Sequence, residues 1–133
     1  MSMRVLHVED NPVDADLLRR QLAREDTGIA LDQVTSLAAA RQKIDVPGSY
    51  DLVLLDLKLP DGNGLALLAE IRARELPLAV VMLTGSGDQE SAIAALKAGA
   101  DDYITKNNPA RIAAVLRDGL RRFREDKSTR SKP

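Results

Sequence analysis

Short apolar runs alternate with helix-periodic stretches along most of the chain. Residues 5–8, 30–34, 52–55, 79–83 and 103–104 read as strands, and residues 13–22, 37–44, 65–71, 91–98 and 112–123 carry apolar side chains at helical spacing. This gives five βα units. Because the strands are apolar almost without interruption rather than alternating, they imply a parallel sheet covered on both faces, an α/β doubly wound fold with helices on either side. Helix ends are marked as well. Asn11-Pro12 and Asn108-Pro109 each offer a capping side chain followed by proline at the first helical position, and Gly99 supplies a stop for the fourth helix. On the first helix, Val13, Leu17, Leu18 and Leu22 form the stripe expected to face the sheet.

The length of 133 residues fits one domain, placed at 1–124, with a polar, disordered tail expected over 125–133. A formal net charge of -1 gives no nucleic-acid footprint and no basic membrane-binding surface. The absence of cysteine removes disulfides, thiol nucleophiles and thiolate metal sites, and no apolar stretch is long enough to span a bilayer. A cytoplasmic location is the expectation. Tyr50, Tyr103 and Phe123 are the only aromatic residues, so the core must be built from Leu, Val, Ile and Ala.

Candidate chemistry collects at the carboxyl ends of the strands, which is where open α/β sheets bind their ligands. Glu9-Asp10 ends the first strand and Asp56 the third, while Thr84 and Lys106 follow the fourth and fifth. Three carboxylates brought together repel unless a cation lies among them. All-oxygen ligation points to Mg²⁺. With the charge neutralised, Asp56 can attack a phosphoryl group to form an aspartyl phosphate, Thr84 can donate to one phosphoryl oxygen, and Lys106 can pair with another. Other readings exist for each residue: a helix-start acid for Glu9-Asp10, a turn acid for Asp56, a strand end for Thr84, a surface lysine for Lys106 and a fixed core aromatic for Tyr103. Asp51 reads as solvent-facing. His7 reads as a hydrogen-bonded strand histidine with no function. Gly85-Ser86-Gly87 lacks the Lys-Ser/Thr ending of a P-loop and is a weak phosphate signal.

The chain resembles the receiver domains of response regulators over nearly its whole length. The resemblance is carried by Val8-Glu9-Asp10-Asn11, by Asp56-Leu57-Lys58-Leu59-Pro60-Asp61-Gly62-Asn63-Gly64, by Leu83-Thr84-Gly85, by Ala98-Gly99-Ala100 and by Tyr103-Ile104-Thr105-Lys106. It implies a flavodoxin-like strand order 2-1-3-4-5 and a phosphorelay signalling switch rather than an enzyme. In that family Asp56 would take phosphate from a sensor histidine kinase or a histidine phosphotransfer protein. Asp10 would ligate Mg²⁺, Glu9 would act largely through water, and the Lys58 backbone carbonyl would complete the ligand set. Thr84 would move toward the phosphoryl group and Tyr103 would swing inward, changing the face made by helix four, strand five and helix five to regulate a downstream protein.

A homodimer is a further family expectation, and neither a nucleic acid nor a membrane is expected as a partner. Receivers usually follow the lysine with a cis proline, but here Asn107 follows Lys106. A cis bond to a non-proline residue costs roughly 3 kcal/mol, so a trans backbone is expected. Two alternatives stay open: a receiver segment of a longer hybrid kinase or output protein, and an interaction module that is never phosphorylated. A phosphatase of the haloacid-dehalogenase type also uses an aspartyl nucleophile, but it needs an acid two positions later, where Lys58 stands. A flavin-binding flavodoxin-like protein is disfavoured because Glu9-Asp10 would repel phosphate.

Overall fold

The structure, a computed structural model, describes residues 2–85, 87–106 and 111–130, without the side chains of 127–130. Five parallel strands, β1 (Met3–Val8), β2 (Ile29–Val34), β3 (Leu52–Asp56), β4 (Ala79–Thr84) and β5 (Asp102–Thr105), form one sheet in the order β2-β1-β3-β4-β5. The helices are α1 (Pro12–Glu25), α2 (Leu37–Ile44), α3 (Gly64–Ala73), α4 (Gln89–Lys97) and α5 (Ile112–Arg130). This is the doubly wound architecture read from the apolar pattern and the strand order that the resemblance implies.

Alternation along the buried strands divides the core in two. Leu6, Val8, Val53, Leu55, Val80 and Met82 point to the side covered by α2, α3 and α4. Val5, Leu52, Leu54, Ala79, Val81 and Leu83 point to the side covered by α1 and α5. Both β3 and β4 are buried along their entire length, the physical reason their sequences are apolar up to the closing Asp56 and Thr84.

Asn11 caps α1 by accepting from the backbone N–H groups of Val13 and Asp14 at 2.9 and 3.1 Å. Gly99, at φ 110°, ends the turn after α4, where a side chain would press on Arg72. Arg72 donates to the carbonyls of Gly99 and Leu78 and to Asp101, and its guanidinium lies 5.0 Å from the Phe123 ring centroid. One side chain thereby ties α3, the α4–β5 turn and α5 together. That tie fixes the start of the strand that carries Lys106.

Three expectations need correction. The buried stripe of α1 is Ala15, Leu18 and Leu22, while Val13 and Leu17 are about three-fifths exposed. Ala15, Leu18 and Leu22 recur at three- and four-residue spacing, whereas Val13 and Leu17 lie about 100° or more around the helix from each of them. His7 is buried, but among the described residues neither ring nitrogen has a hydrogen-bond partner. Its side chain lines a small cavity with Leu17, Leu18 and Leu83 as well as with Asp14 and Lys106. At the polar end of the chain α5 remains helical through Arg130. Arg121 pairs with Asp118 and Glu125 at three- and four-residue spacing, which carries the helix past its last apolar residue, Phe123. Asp51, read as solvent-facing, is half-buried; it accepts from the Arg4 N–H and pairs with Arg124. The Asn108 cap and the bond after Lys106 lie outside the described residues.

Candidate functional site

Parallel pairing of β1 with β3 and of β3 with β4 brings the loops after these strands to one end of the sheet. Glu9 and Asp10 follow β1, and Asp56 is the last residue of β3. One carboxylate oxygen from each of the three lies within 4.8 Å of the others. Asp10 is exposed at the mouth, whereas Glu9 and Asp56 are buried.

Lys106 enters from the end of β5, its backbone held by donation to the Thr84 carbonyl at 2.8 Å. Its Nζ lies 2.8 Å from Glu9 Oε1, 2.9 Å from Asp56 Oδ2 and 3.3 Å from Asp14 Oδ2. Burial opposes charge on this ammonium, but the two carboxylates beside it, Glu9 and Asp56, outweigh it and hold Lys106 firmly protonated. Burial also pushes Glu9 up to about 7, against the opposing pull of Lys106 and with the help of Asp56. Despite its closeness to Lys106, Glu9 Oε1 makes no well-angled hydrogen bond, so a buried acceptor is left under-used. Three carboxylates with spare lone pairs and no soft donor suit a hard divalent cation.

The segment after Asp56 is shaped by a tight fold-back. Lys58–Leu59 pairs antiparallel with Gly62–Asn63, Gly64 donates its N–H to the Leu57 carbonyl at 2.8 Å, and Asn63 caps α3 through the Leu65 N–H. A Cβ on Gly64 would sit 2.3 Å from the Asp56 carbonyl oxygen. Only glycine permits that approach. Asp61 reaches across to accept from the Leu37 and Ala38 N–H groups at the start of α2.

The sequence model of the response regulator receiver domain matches residues 5–117. The chain belongs to that family.

Among its curated relatives, the receiver is 43% identical to the transcriptional regulatory protein BasR of Escherichia coli K12, over 86% of this chain and 53% of that protein. It is 34% identical to the transcriptional regulatory protein AruR of Pseudomonas aeruginosa, over 93% of this chain and 52% of that protein. The chain thus spans about half the length of these relatives. Among solved structures, the signal receiver domain of a putative Luxo repressor protein from Vibrio parahaemolyticus superposes with a TM-score of 0.83 at 28% identity, covering 99% of this chain and 100% of that one. A CheY-like receiver domain protein from Methanospirillum hungatei gives 0.78 at 28% identity, covering 95% and 99%.

The remaining candidate residues of the receiver are distributed as follows. Thr84 ends β4 and is buried, its hydroxyl at a long 3.5 Å from the Ile104 carbonyl. Lys58 sits beside Asp56 with its side chain in solvent, and its N–H lies 3.5 Å from Asp56 Oδ1. Tyr103 is exposed, pointing outward from β5. Ile93 and Leu96 on α4 are exposed too, so apolar side chains stand on both α4 and β5. Two residues at the site were not anticipated: Asp14, the third partner of Lys106, and Gly64 against the Asp56 carbonyl. Asp14 had one available signal, an acid three residues after a capping asparagine.

Proposed function

We propose that this receiver is a phosphorelay switch in which Asp56 accepts a phosphoryl group from a phosphohistidine on a sensor histidine kinase or histidine phosphotransfer protein. The observation that carries this reading is the meeting of Asp56 with Glu9, Asp10 and the Lys106 ammonium in one open cleft. Membership in the family and the likeness to other receivers support it.

In this reading an Asp56 oxygen attacks phosphorus, the phosphorus–nitrogen bond breaks, and the departing imidazole takes up a proton. Glu9, Asp10, Asp56 and the Lys58 carbonyl would hold Mg²⁺, which supplies neutralising charge for the transferring oxygens. Lys106 and the Thr84 hydroxyl pair with phosphoryl oxygens. For Thr84 this means exchanging its long contact to the Ile104 carbonyl for a better acceptor, which is the local change that starts the switch. Tyr103, exposed on β5, would turn inward behind it. The surface that changes is the α4, β5 and α5 face, where Ile93, Leu96 and Tyr103 offer apolar contacts to a regulated partner or to a second copy.

Lys58 stands where an aspartyl phosphatase would need an acid, so we assign the chain a signalling role rather than an enzymatic one. Among the described residues no helix is long and apolar enough to cross a membrane, and we place the switch in the cytoplasm. The curated relatives are about twice as long as this chain, which favours a second reading in which the switch face acts on an attached output segment.

Incubation with acetyl phosphate and Mg²⁺ followed by intact-mass measurement tests the central step. The parent chain is expected to gain one phosphoryl group and Asp56→Asn none. An adduct that survives in Asp56→Asn, or a parent chain that gains none, contradicts it.

A further inference from the structure

Lys106 has three N–H donors and meets three carboxylates, one of which lies outside the group that would hold a cation. Asp14 sits in the first turn of α1, at the third helical position after the Asn11 cap. An acid there commonly reaches back to the N–H of the capping residue. Here that N–H is already taken, because Asn11 donates to Glu9 Oε2 at 3.2 Å. The Asp14 carboxylate is thereby released from capping, and it turns instead to Lys106 Nζ at 3.3 Å.

We propose that Asp14 is a positioning residue that keeps Lys106 aimed into the cleft. The inference rests on the phosphorelay reading of the site. Glu9 and Asp56 serve two masters, the lysine and the cation, and Asp56 must also present an oxygen for attack. Asp14 has no such second role, since it is not among the three acids whose oxygens converge. It therefore offers Lys106 a fixed partner on the α1 side while the other two carboxylates are engaged elsewhere. Thr84 fixes the backbone of Lys106 and Asp14 fixes its tip, so the ammonium swings over a short arc between Asp14 and a phosphoryl oxygen. Lysine, with a flexible stem, loses more from a missing tether than a planar guanidinium would. A purely local role for Asp14, favouring the positive end of the helix dipole, would stabilise α1 without touching Lys106.

The test uses Asp14→Ala and Asp14→Glu in the full chain, with thermal unfolding followed in parallel. The first readout is the NMR order parameter of the Lys106 Nζ group, measured with and without Mg²⁺ and with no phosphodonor. It is expected to fall in Asp14→Ala, most strongly with Mg²⁺, and to recover in Asp14→Glu. The second readout is phosphorylation of Asp56 by acetyl phosphate. Because Asp14 is partly exposed, the maximal rate is expected to drop only about three- to tenfold in Asp14→Ala with an unchanged KM, and to be restored in Asp14→Glu. Order parameters and rates that stay at parental values in Asp14→Ala would overturn the proposal, whatever happens to its melting temperature. A parent chain that takes up no phosphoryl group fails the phosphorelay reading instead, and the Lys106 order parameters then decide Asp14 on their own.

Discussion

Adding one methyl group at position 64 is expected to lower stability by about 3 kcal/mol or more and to impair phosphoryl uptake at the same time. In Gly64→Ala the new Cβ would stand 2.3 Å from the Asp56 carbonyl oxygen and 3.2 Å from its carbon. Backbone cannot yield as a side-chain tip can. Relief requires α3 to back away from β3, which breaks the Gly64 to Leu57 hydrogen bond and the fold-back that holds Lys58 beside Asp56. Gly119→Ala is the contrasting case, since its Cβ meets a Val81 methyl at 3.1 Å and a small side-chain shift absorbs it. Urea unfolding of the two variants checks the stability difference, and acetyl phosphate labelling checks the loss at Asp56. Equal, small effects from both variants would show that the α3 approach to Asp56 is loose.

The second large effect concerns His7 and depends on pH. Burial, reinforced by the nearby Lys106 charge, pulls His7 down to about 4 from an ordinary value of 6.5. Between those values the unfolded chain binds the proton and the folded chain does not, so stability rises with pH across that interval and is lost as pH falls through it. The full interval corresponds to about 3 kcal/mol. Glu9 acts with the opposite sign. Its value, raised to about 7, makes the folded chain hold a proton that the unfolded chain releases above 4.5, so its contribution declines as pH rises from 4.5 to 7. The two slopes largely offset each other in the parent chain.

Replacing His7 with leucine removes one slope and leaves the other. Relative to the parent, His7→Leu is expected to gain roughly 1 kcal/mol near pH 7.5 from removing two nitrogens that have no partner among the described residues, and about 3 kcal/mol more by pH 4. Urea titrations of both chains at a series of pH values, without Mg²⁺, give this difference directly. A constant difference across pH would mean that His7 takes up its proton in the folded chain as readily as in the unfolded one.

These two residues also show where the amino-acid sequence is informative and where it is not. Strand identity followed from apolar runs such as Leu52 to Leu55, because burial on both sheet faces leaves no room for polar residues at either parity. Loop convergence then followed from the parallel topology, so Glu9, Asp10, Asp56, Thr84 and Lys106 could be assembled before any coordinates. The strand order came from likeness to other receivers rather than from spacing. What stayed hidden depended on contacts between segments far apart in the chain. Gly64 is one glycine in a glycine-rich loop until the Asp56 carbonyl is seen beside it. Whether His7 finds a partner is decided by the side chains that α1 and β5 bring to it. On α1, Val13 and Leu17 share one face and Leu18 and Leu22 another, and only the docked helix shows which pair faces water. Similarly, the charge pairs that continue α5 past Phe123 leave no apolar periodicity to read.

Magnesium calorimetry on the parent chain, Asp10→Asn and Asp56→Asn tests most directly whether acids from separate loops make one cation site. The parent is expected to bind one Mg²⁺ per chain, and each variant to lose at least about tenfold in affinity, because each removes a charged oxygen donor from the same site. A parent chain that takes up no Mg²⁺, or variants that bind it as the parent does, would contradict the account.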